Sequence, residues 1–464
     1  MNFYGREQQK RMLHRMLNRQ ELQTALIYGR RRVGKSELIK QCLREGDTLS
    51  LYFECKQTTE PNNVESLSVL IAETFHFPKP AFSNMEELLR FLFKKAEDAP
   101  IILVLDEYPY LREVVRGMDS VLQSLIDRYR DTSRLKLILC GSYVDIMRSM
   151  LEKSNPLYGR VDTTIDLKPM DYYESALFYP SFSNEDKVRL YSVFGGIPYY
   201  NRLIDPTLSV RDNITELIAS PDSRLINEVT MYIRSEVSKI NNANEVFETL
   251  ANGYSKFSDI LSQSHVSSSP TLSDVLEKLV CMEVVVKKSP INDESNRKKA
   301  GYYIADSLSR FYYRYLSRFA SQMQVLDPKL FFDRYIAEDF ESHYVPYAFE
   351  TVATQYLIRK NRQGLIDPPF NKIGKYYYDD PIHHKNGEFD VVTQDPNGYI
   401  FYEVKFRSTS VDRKLIDSEL AQVNATGLKC YRYGFFSRAG FETEPSEELI
   451  FIHLDDLYPP AFSV

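Results

Sequence analysis

The stretch Gln23-Thr24-Ala25-Leu26-Ile27-Tyr28-Gly29-Arg30-Arg31-Arg32-Val33-Gly34-Lys35-Ser36-Glu37 decides the fold. Gln23 to Tyr28 is a short apolar run of strand character, and it ends in a glycine-bounded loop. A helix over Glu37 to Leu43 is expected next. Gly29 to Ser36 fits the P-loop pattern G-x-x-x-x-G-K-[ST] without a mismatch. In such a loop the backbone N–H groups, together with those of the following helix N-terminus, cradle a phosphate. Lys35 reaches the β- and γ-phosphates, and Ser36 places its hydroxyl on Mg²⁺. Gly29, Arg32, Val33, Gly34, Lys35, Ser36 and Glu37 are therefore the expected nucleotide contacts. A chance glycine-rich turn would lack both the strand before it and the helix after it.

A second half of the site lies downstream, in Ile101-Ile102-Leu103-Val104-Leu105-Asp106-Glu107. An aliphatic strand ending in Asp-Glu is a Walker B element. Asp106 would hold Mg²⁺ through water, and Glu107 would orient the attacking water. Two further positions are candidates. Ser142, in Cys140-Gly141-Ser142, would sit at the tip of the strand beside Walker B and sense the γ-phosphate; a plain strand-end turn explains it equally well. Arg160, in Leu157-Tyr158-Gly159-Arg160, would be a finger or sensor on the transferring phosphate, in cis or across a homo-oligomer interface; a surface salt bridge is the equal alternative.

Around these motifs the first 168 residues alternate strand-like and helix-like segments. The strands are Gln23 to Tyr28, Thr48 to Cys55, Ile101 to Leu105, Leu135 to Cys140 and Val161 to Leu167. Helices include Met85 to Lys95 and Val121 to Tyr129. The continuous aliphatic runs are those of strands covered on both faces. The pattern predicts an α/β core, a parallel sheet with helices on both sides.

The whole chain has 464 residues, which suggests about three domains. It carries 58 Lys and Arg against 64 Asp and Glu, a net charge of −6, which excludes a uniformly basic nucleic-acid coat but not a local basic patch. The five cysteines are scattered, in no zinc-knuckle spacing, and read as free thiols of a cytoplasmic protein. The aromatics fall at core-like spacing. No apolar run is long enough for a membrane span, and the N-terminus has no signal-peptide pattern.

After the core come a helical lid over 169–235, a winged helix-turn-helix over 236–306, a connecting helix over 307–330 and a mixed α/β unit over 331–464. The winged helix is read from helices Asn244 to Ala251, Phe257 to Ser262 and Pro270 to Met282, followed by strands Val284 to Lys288 and Ala300 to Ala305. Ser267, Ser268, Ser269, Thr271, Ser273 and Lys278 lie at or near the start of the third helix, where hydroxyls can meet phosphates or bases. Lys287, Lys288, Arg297, Lys298 and Lys299 give the wing five cations, enough to neutralise several DNA phosphates. A hairpin used for docking within the chain would have the same composition.

The strings Tyr28 to Ser36, Asp106-Glu107-Tyr108-Pro109-Tyr110-Leu111, Gly141-Ser142, Pro156-Leu157-Tyr158-Gly159-Arg160 and Gly195-Gly196-Ile197-Pro198 resemble the archaeal-type ATPase family, among the AAA+ and STAND-like P-loop ATPases. The resemblance implies that Phe3 to Glu7 packs near the adenine and that Gly196 and Pro198 belong to a lid motif over the nucleotide. From the residues alone the latter are a helix breaker. No Asn-Lys-x-Asp string for guanine is present, which favours ATP/ADP with Mg²⁺ as the ligand.

In the last region, Gly387-Glu388-Phe389-Asp390-Val391-Val392, a turn at Asp395-Pro396-Asn397-Gly398 and Tyr399-Ile400-Phe401-Tyr402-Glu403-Val404-Lys405 read as a hairpin. With Gln394 opposite Tyr399, Asp390 lies opposite Glu403, and Lys405 shares their face. Two carboxylates and a lysine so placed suit metal-assisted hydrolysis, with Asp390, Glu403 and Lys405 catalytic. The pattern resembles the PD-(D/E)xK nuclease core, with Glu350 and Gln422 at its accessory positions. Phe389 stands where that pattern often has proline. A three-residue loop with a glycine bulge is also compatible with Pro-Asn-Gly and would set Asp390 and Glu403 on opposite faces. His383-His384, adjacent on an extended segment, point opposite ways and read as loop. The expected protein is a Mg²⁺-dependent ATPase whose nucleotide state is coupled to a DNA-binding or nuclease-like module. The alternative is a slow nucleotide-controlled switch with an inactive C-terminal domain.

Overall fold

The computed structural model describes residues 3–232, 240–296, 298–380, 385–427 and 429–459. The chain forms two compact units: residues up to Pro169 with Ile197–Tyr199, and Met170–Gly196 with the residues from Tyr200 on.

The first unit is built on five parallel strands, β1 (Gln23–Tyr28), β2 (Leu49–Glu54), β3 (Ile101–Asp106), β4 (Lys136–Gly141) and β5 (Thr163–Asp166), in the order β2-β3-β4-β1-β5. The aliphatic runs are explained by where alternate residues go. Leu26, Tyr28, Leu103, Leu105, Leu137 and Leu139 enter one core. Ala25, Ile27, Ile102, Val104, Ile138 and Cys140 enter the other, on the opposite face. The central strands β3 and β4 are buried along their whole length, so neither of their faces needs polar residues. Helix α1 (Glu7–Leu17) puts Leu13 and Met16 into the second core, and helix α2 (Lys35–Arg44) adds Leu38, Ile39 and Cys42. Each such side chain contributes about 1.5–3 kcal/mol relative to exposure.

The strand order has one consequence for chemistry. β4 lies between the P-loop strand β1 and the Walker B strand β3, with parallel pairing on both sides. The carboxyl ends of β1, β3 and β4 therefore open side by side, where α/β sheets bind ligands.

The second unit begins with the helices Tyr172–Ala176, Asn184–Phe194, Val210–Leu217 and Arg224–Tyr232. Helices Ala243–Ala251, Phe257–Gln263 and Ser269–Cys281 then precede an antiparallel pair, β6 (Val285–Lys288) and β7 (Gly301–Ile304). The single connecting helix expected over 307–330 is broken. It is Ser307–Phe311, a π-turn at Tyr312–Leu316, then Ala320–Val325. Beside the π-turn, Arg310 lies 4.7 Å and 4.9 Å from the ring centroids of Tyr344 and Tyr347, and Phe247 stacks on Tyr313 at 5.0 Å. The helix Val345–Arg362 leads to a five-stranded sheet of β8 (Lys372–Asp380), β9 (Lys385–Asp395), β10 (Gly398–Lys405), β11 (Cys430–Ser437) and β12 (Leu449–His453), in the order β12-β11-β10-β9-β8. Among the described residues no helix is long and apolar enough to cross a membrane. Cys42, Cys55, Cys140, Cys281 and Cys430 are all free thiols. His383 and His384 lie outside the described residues, as does Arg297 of the expected wing.

Candidate functional site

Gly29 takes φ +153°, and a Cβ there would stand 2.2 Å from the Leu167 carbonyl oxygen. Only glycine fits. Gly34 takes φ +96° as the cap of α2. Lys35 opens that helix and is buried; its Nζ donates to the carbonyls of Gly29 at 2.8 Å and Arg30 at 3.0 Å. Burial pushes its ammonium below the ordinary lysine range. Val33 is fully buried and Glu37 is exposed in the first turn.

Two segments remote in sequence meet this loop. Arg6, buried and at φ +65°, donates to the Val33 carbonyl at 3.3 Å. Pro198 lies 3.7 Å from where a Gly34 Cβ would stand, and the Arg32 guanidinium lies 3.9 Å from the ring centroid of the next residue, Tyr199. The segments that the family resemblance puts at the adenine and at the lid are thus both beside the P-loop.

Asp106 ends β3. Its Oδ2 accepts from Ser36 Oγ at 2.8 Å and from the Tyr52 hydroxyl, while its Oδ1 accepts from the Glu107 N–H at 3.0 Å. Burial opposes the charged form, but the hydrogen bonds from Tyr52, Cys140 and Ser36 outweigh it and hold this carboxyl below its ordinary value. Glu107 takes the left-handed conformation, φ +51°. Its Oε2 accepts from Ser142 N–H at 3.1 Å and Ser142 Oγ at 3.0 Å. The hydroxyl expected to face a γ-phosphate is therefore engaged with the glutamate. Arg160 is engaged as well. Its guanidinium forks Asp127 at 2.8 and 2.7 Å and donates to the carbonyls of Pro156 and Tyr158, both at 3.1 Å. The surface ion pair, the second of the two readings of Arg160, is the contact seen.

Lys35, Ser36, Asp106, Glu107 and Ser142 are thereby brought together, with Pro198 and Arg32 at the loop's edge. The residues suit a Mg-nucleotide: a hydroxyl and a carboxylate at 2.8 Å are the hard oxygen donors Mg²⁺ takes. Sequence reasoning missed Tyr52, and it named Arg6 only within the Phe3 to Glu7 segment that the resemblance implies. Nothing in a lone strand tyrosine marks it, and only the order β2-β3 brings it to Asp106.

In the second unit, β9 and β10 pair with Gly398 opposite Asp395 and Tyr399 opposite Gln394. This is the register that faces Asp390 toward Glu403; the three-residue loop is not formed. Glu350, Asp390, Glu403, Glu419 and Gln422 line one cavity of about 280 Å³. Asp390 accepts from Lys375 at 2.7 Å, Lys405 pairs with Glu403 and lies 3.6 Å from Glu419, and Gln422 donates to the Tyr378 hydroxyl at 2.9 Å. Burial, with Asp390 nearby, pushes Glu350 up to about 8, and burial also raises Glu403. Among the described residues no group of three or more His, Cys, Asp or Glu is spaced to hold a metal ion.

The loop between β6 and β7 packs on the edge strand β8. Ile291 N–H donates to the Lys375 carbonyl at 2.8 Å, and the Asn292 amide both donates to and accepts from the Tyr377 backbone, at 2.7 and 3.1 Å. Ile291 enters the core of Val392, Phe401 and Val423. Lys299 stands 4.1 Å from the Tyr377 ring centroid and pairs with Asp293 at 3.1 Å. Lys288 is exposed at the end of β6, with its Nζ 5.4 Å from the Tyr303 ring centroid. On the third helix, Ser268 caps the N-terminus and Lys278 pairs with Asp274 at 2.7 Å.

Residues 3–203 match the family described as ATPase domains predominantly from Archaea, and residues 312–416 match one described as archaeal and bacterial proteins of unknown function. An uncharacterized protein of Methanocaldococcus jannaschii is 26% identical over 411 residues, 87% of this chain and 88% of that one. A second protein of that organism is 32% identical over 68 residues, 14% of this chain and 66% of that one. Among solved structures, a Walker-type ATPase of Pyrococcus abyssi aligns with a TM-score of 0.52 at 21% identity, over 67% of this chain and 96% of that one. Residues 3–203 are therefore similar to an archaeal-type P-loop ATPase domain.

Proposed function

We propose that the protein hydrolyses the β–γ bond of Mg-ATP and couples nucleotide state to its second unit. The observation that carries this is the contact of Ser36 Oγ with the Asp106 carboxylate at 2.8 Å, beside a buried Lys35 and with Glu107 next in the chain. Ser36 and Asp106 would hold Mg²⁺, which when bound offsets the charge between the β- and γ-phosphates. Lys35 and the loop amides stabilise charge on the transferring group. Glu107 orients water, for which it must turn from Ser142. Pro198 and Arg32 border the phosphate loop; Arg160 acts on phosphate only if it leaves Asp127. The test is ATP turnover with and without EDTA. Glu107→Gln should keep ATP binding and lose about 10²–10⁴-fold in turnover; an unchanged rate would remove Glu107 from the chemistry.

For the second unit, the register Gln394–Tyr399 supports a nuclease-like site in which Asp390 and Glu403 would hold a metal that activates water, with Lys405 beside it. Cleavage of DNA with Mg²⁺ or Mn²⁺, lost in Lys405→Ala, is the check. The grip of Ser142 on Glu107 and the pairing of Asp390 with Lys375 favour a second reading, a slow nucleotide switch whose C-terminal domain does not cleave. Retained ADP in the purified protein, with no cleavage, would select it.

A further inference from the structure

The Asp106 carboxylate has four donors, Ser36, Tyr52, the Cys140 thiol and the Glu107 N–H, and Tyr52 lies outside every motif of the phosphate site. Tyr52 sits on β2, in register with Val104 of β3. Its ring packs against the core that holds Val104 and Cys140, and its hydroxyl donates to Asp106 Oδ2. Lys40, one turn past Ser36 on α2, stands 4.8 Å from the centroid of that ring. The phenol is thus held by the sheet on one side and by the P-loop helix on the other.

Ser36 donates to the same Oδ2 atom. A bound Mg²⁺ would claim the Ser36 hydroxyl, which leaves the Tyr52 hydroxyl as the strong side-chain donor that fixes the Asp106 rotamer, beside the weak Cys140 thiol. Carboxylates that serve a metal are commonly oriented in this way by a hydrogen bond from outside the ligand set, and losing such a partner costs 10–100-fold in metal affinity. Tyrosine suits the task. It spans from the neighbouring strand, carries no charge to compete with the metal, and cannot itself displace the carboxylate.

We propose that Tyr52 is the positioning residue of the metal half of the nucleotide site, its hydroxyl setting Asp106 for Mg²⁺. The proposal rests on the Mg-ATP reading above and adds a residue that no motif marks. Its test is binding, not turnover: the full chain is titrated with a fluorescent ATP analogue in EDTA and at increasing Mg²⁺. Tyr52→Phe keeps the ring and should bind as wild type in EDTA. The Mg²⁺ needed for half-maximal tightening should rise about 10–100-fold. In an Asp106→Asn background the same substitution should add nothing. A wild-type Mg²⁺ dependence in Tyr52→Phe would overturn the proposal. So would equal weakening with and without Mg²⁺, which marks a packing role, or an additive loss in the Asp106→Asn background. If wild type binds the nucleotide but shows no Mg²⁺ effect, the Mg-ATP reading fails first and the role of Tyr52 falls with it. If wild type tightens with Mg²⁺ and only Tyr52→Phe behaves as wild type, Tyr52 alone is wrong.

Discussion

Glu107 and Ser142 pose the sharpest question at the residue scale. The glutamate leaves the strand in the left-handed conformation and meets both the N–H and the hydroxyl of Ser142. If the hydroxyl restrains Glu107, Ser142→Ala should raise ATP turnover several-fold, since a hydrogen bond to a charged group is worth about 1.5–3 kcal/mol and the N–H contact remains. If it senses the γ-phosphate instead, the same variant should lower turnover, so steady-state kinetics separates the two by sign. Lys35→Ala should instead abolish tight ATP binding, seen by calorimetry, because the loop loses its buried cation. Glu350 gives a pH prediction. Its folded pKa, about 8, lies above the unfolded value near 4.5. Between those values the folded state holds more protons than the unfolded one, so stability falls as pH rises, by about 1.4 kcal/mol per unit from this group. Glu350→Gln should flatten that slope in metal-free thermal melts and leave the variant the more stable protein above pH 8.

At the scale of elements, the loop between β1 and α2 is fixed by one glycine more than by its phosphate chemistry. Gly29→Ala would drive a Cβ to within 2.2 Å of the Leu167 carbonyl at a φ of +153°. A loss of about 3 kcal/mol is expected from strain and displacement of the strand end, together with loss of ATP binding; denaturant melts and a binding titration check both. Much of this region was legible in the sequence. Continuous aliphatic runs announced covered strands, the P-loop pattern announced its helix, and Asp106-Glu107 announced the strand end that meets Ser36. The hairpin of β9 and β10 was legible only up to a choice, because Pro-Asn-Gly suits two loop lengths and a one-residue slip moves every side chain to the other face. The sheet core decides it: Val392 and Phe401 are both buried in one cluster, opposite each other. Tyr52 was not legible, and Arg6 was legible only as part of the Phe3 to Glu7 segment that the resemblance implies. Each acts through a contact between segments far apart in sequence, and neither residue type is unusual where it stands.

On the scale of the whole chain, the second unit raises the issue of what its basic hairpin is for. Composition allowed DNA contact or docking within the chain, and the observed contacts favour docking. Ile291 fills the core behind β8, Asn292 pairs with the Tyr377 backbone as an added strand would, and Lys256, next to the hairpin, forms an ion pair with Glu388. β8 is an edge strand, and a covering loop of this kind protects such an edge from pairing with other chains. Lys299 is spent on these contacts, whereas Lys288 and Lys298 are exposed. Docking makes Ile291→Asp costly. Placing a carboxylate among Val392, Phe401 and Val423 should release the loop, so that hydrogen exchange at Lys375 to Tyr377 quickens while the amides of β1 and β3 stay as protected as before. A free wing would also regain its cations, and binding to a DNA duplex at low salt should strengthen with a steeper salt slope than wild type. A wing that already serves as the DNA contact predicts the reverse. Wild type should then bind duplex well, Lys298→Ala should weaken that binding, and Ile291→Asp should leave it unimproved. Exchange and salt-dependent binding, measured on the same variant, distinguish a hairpin that seals the edge of the sheet from one that reaches for phosphates.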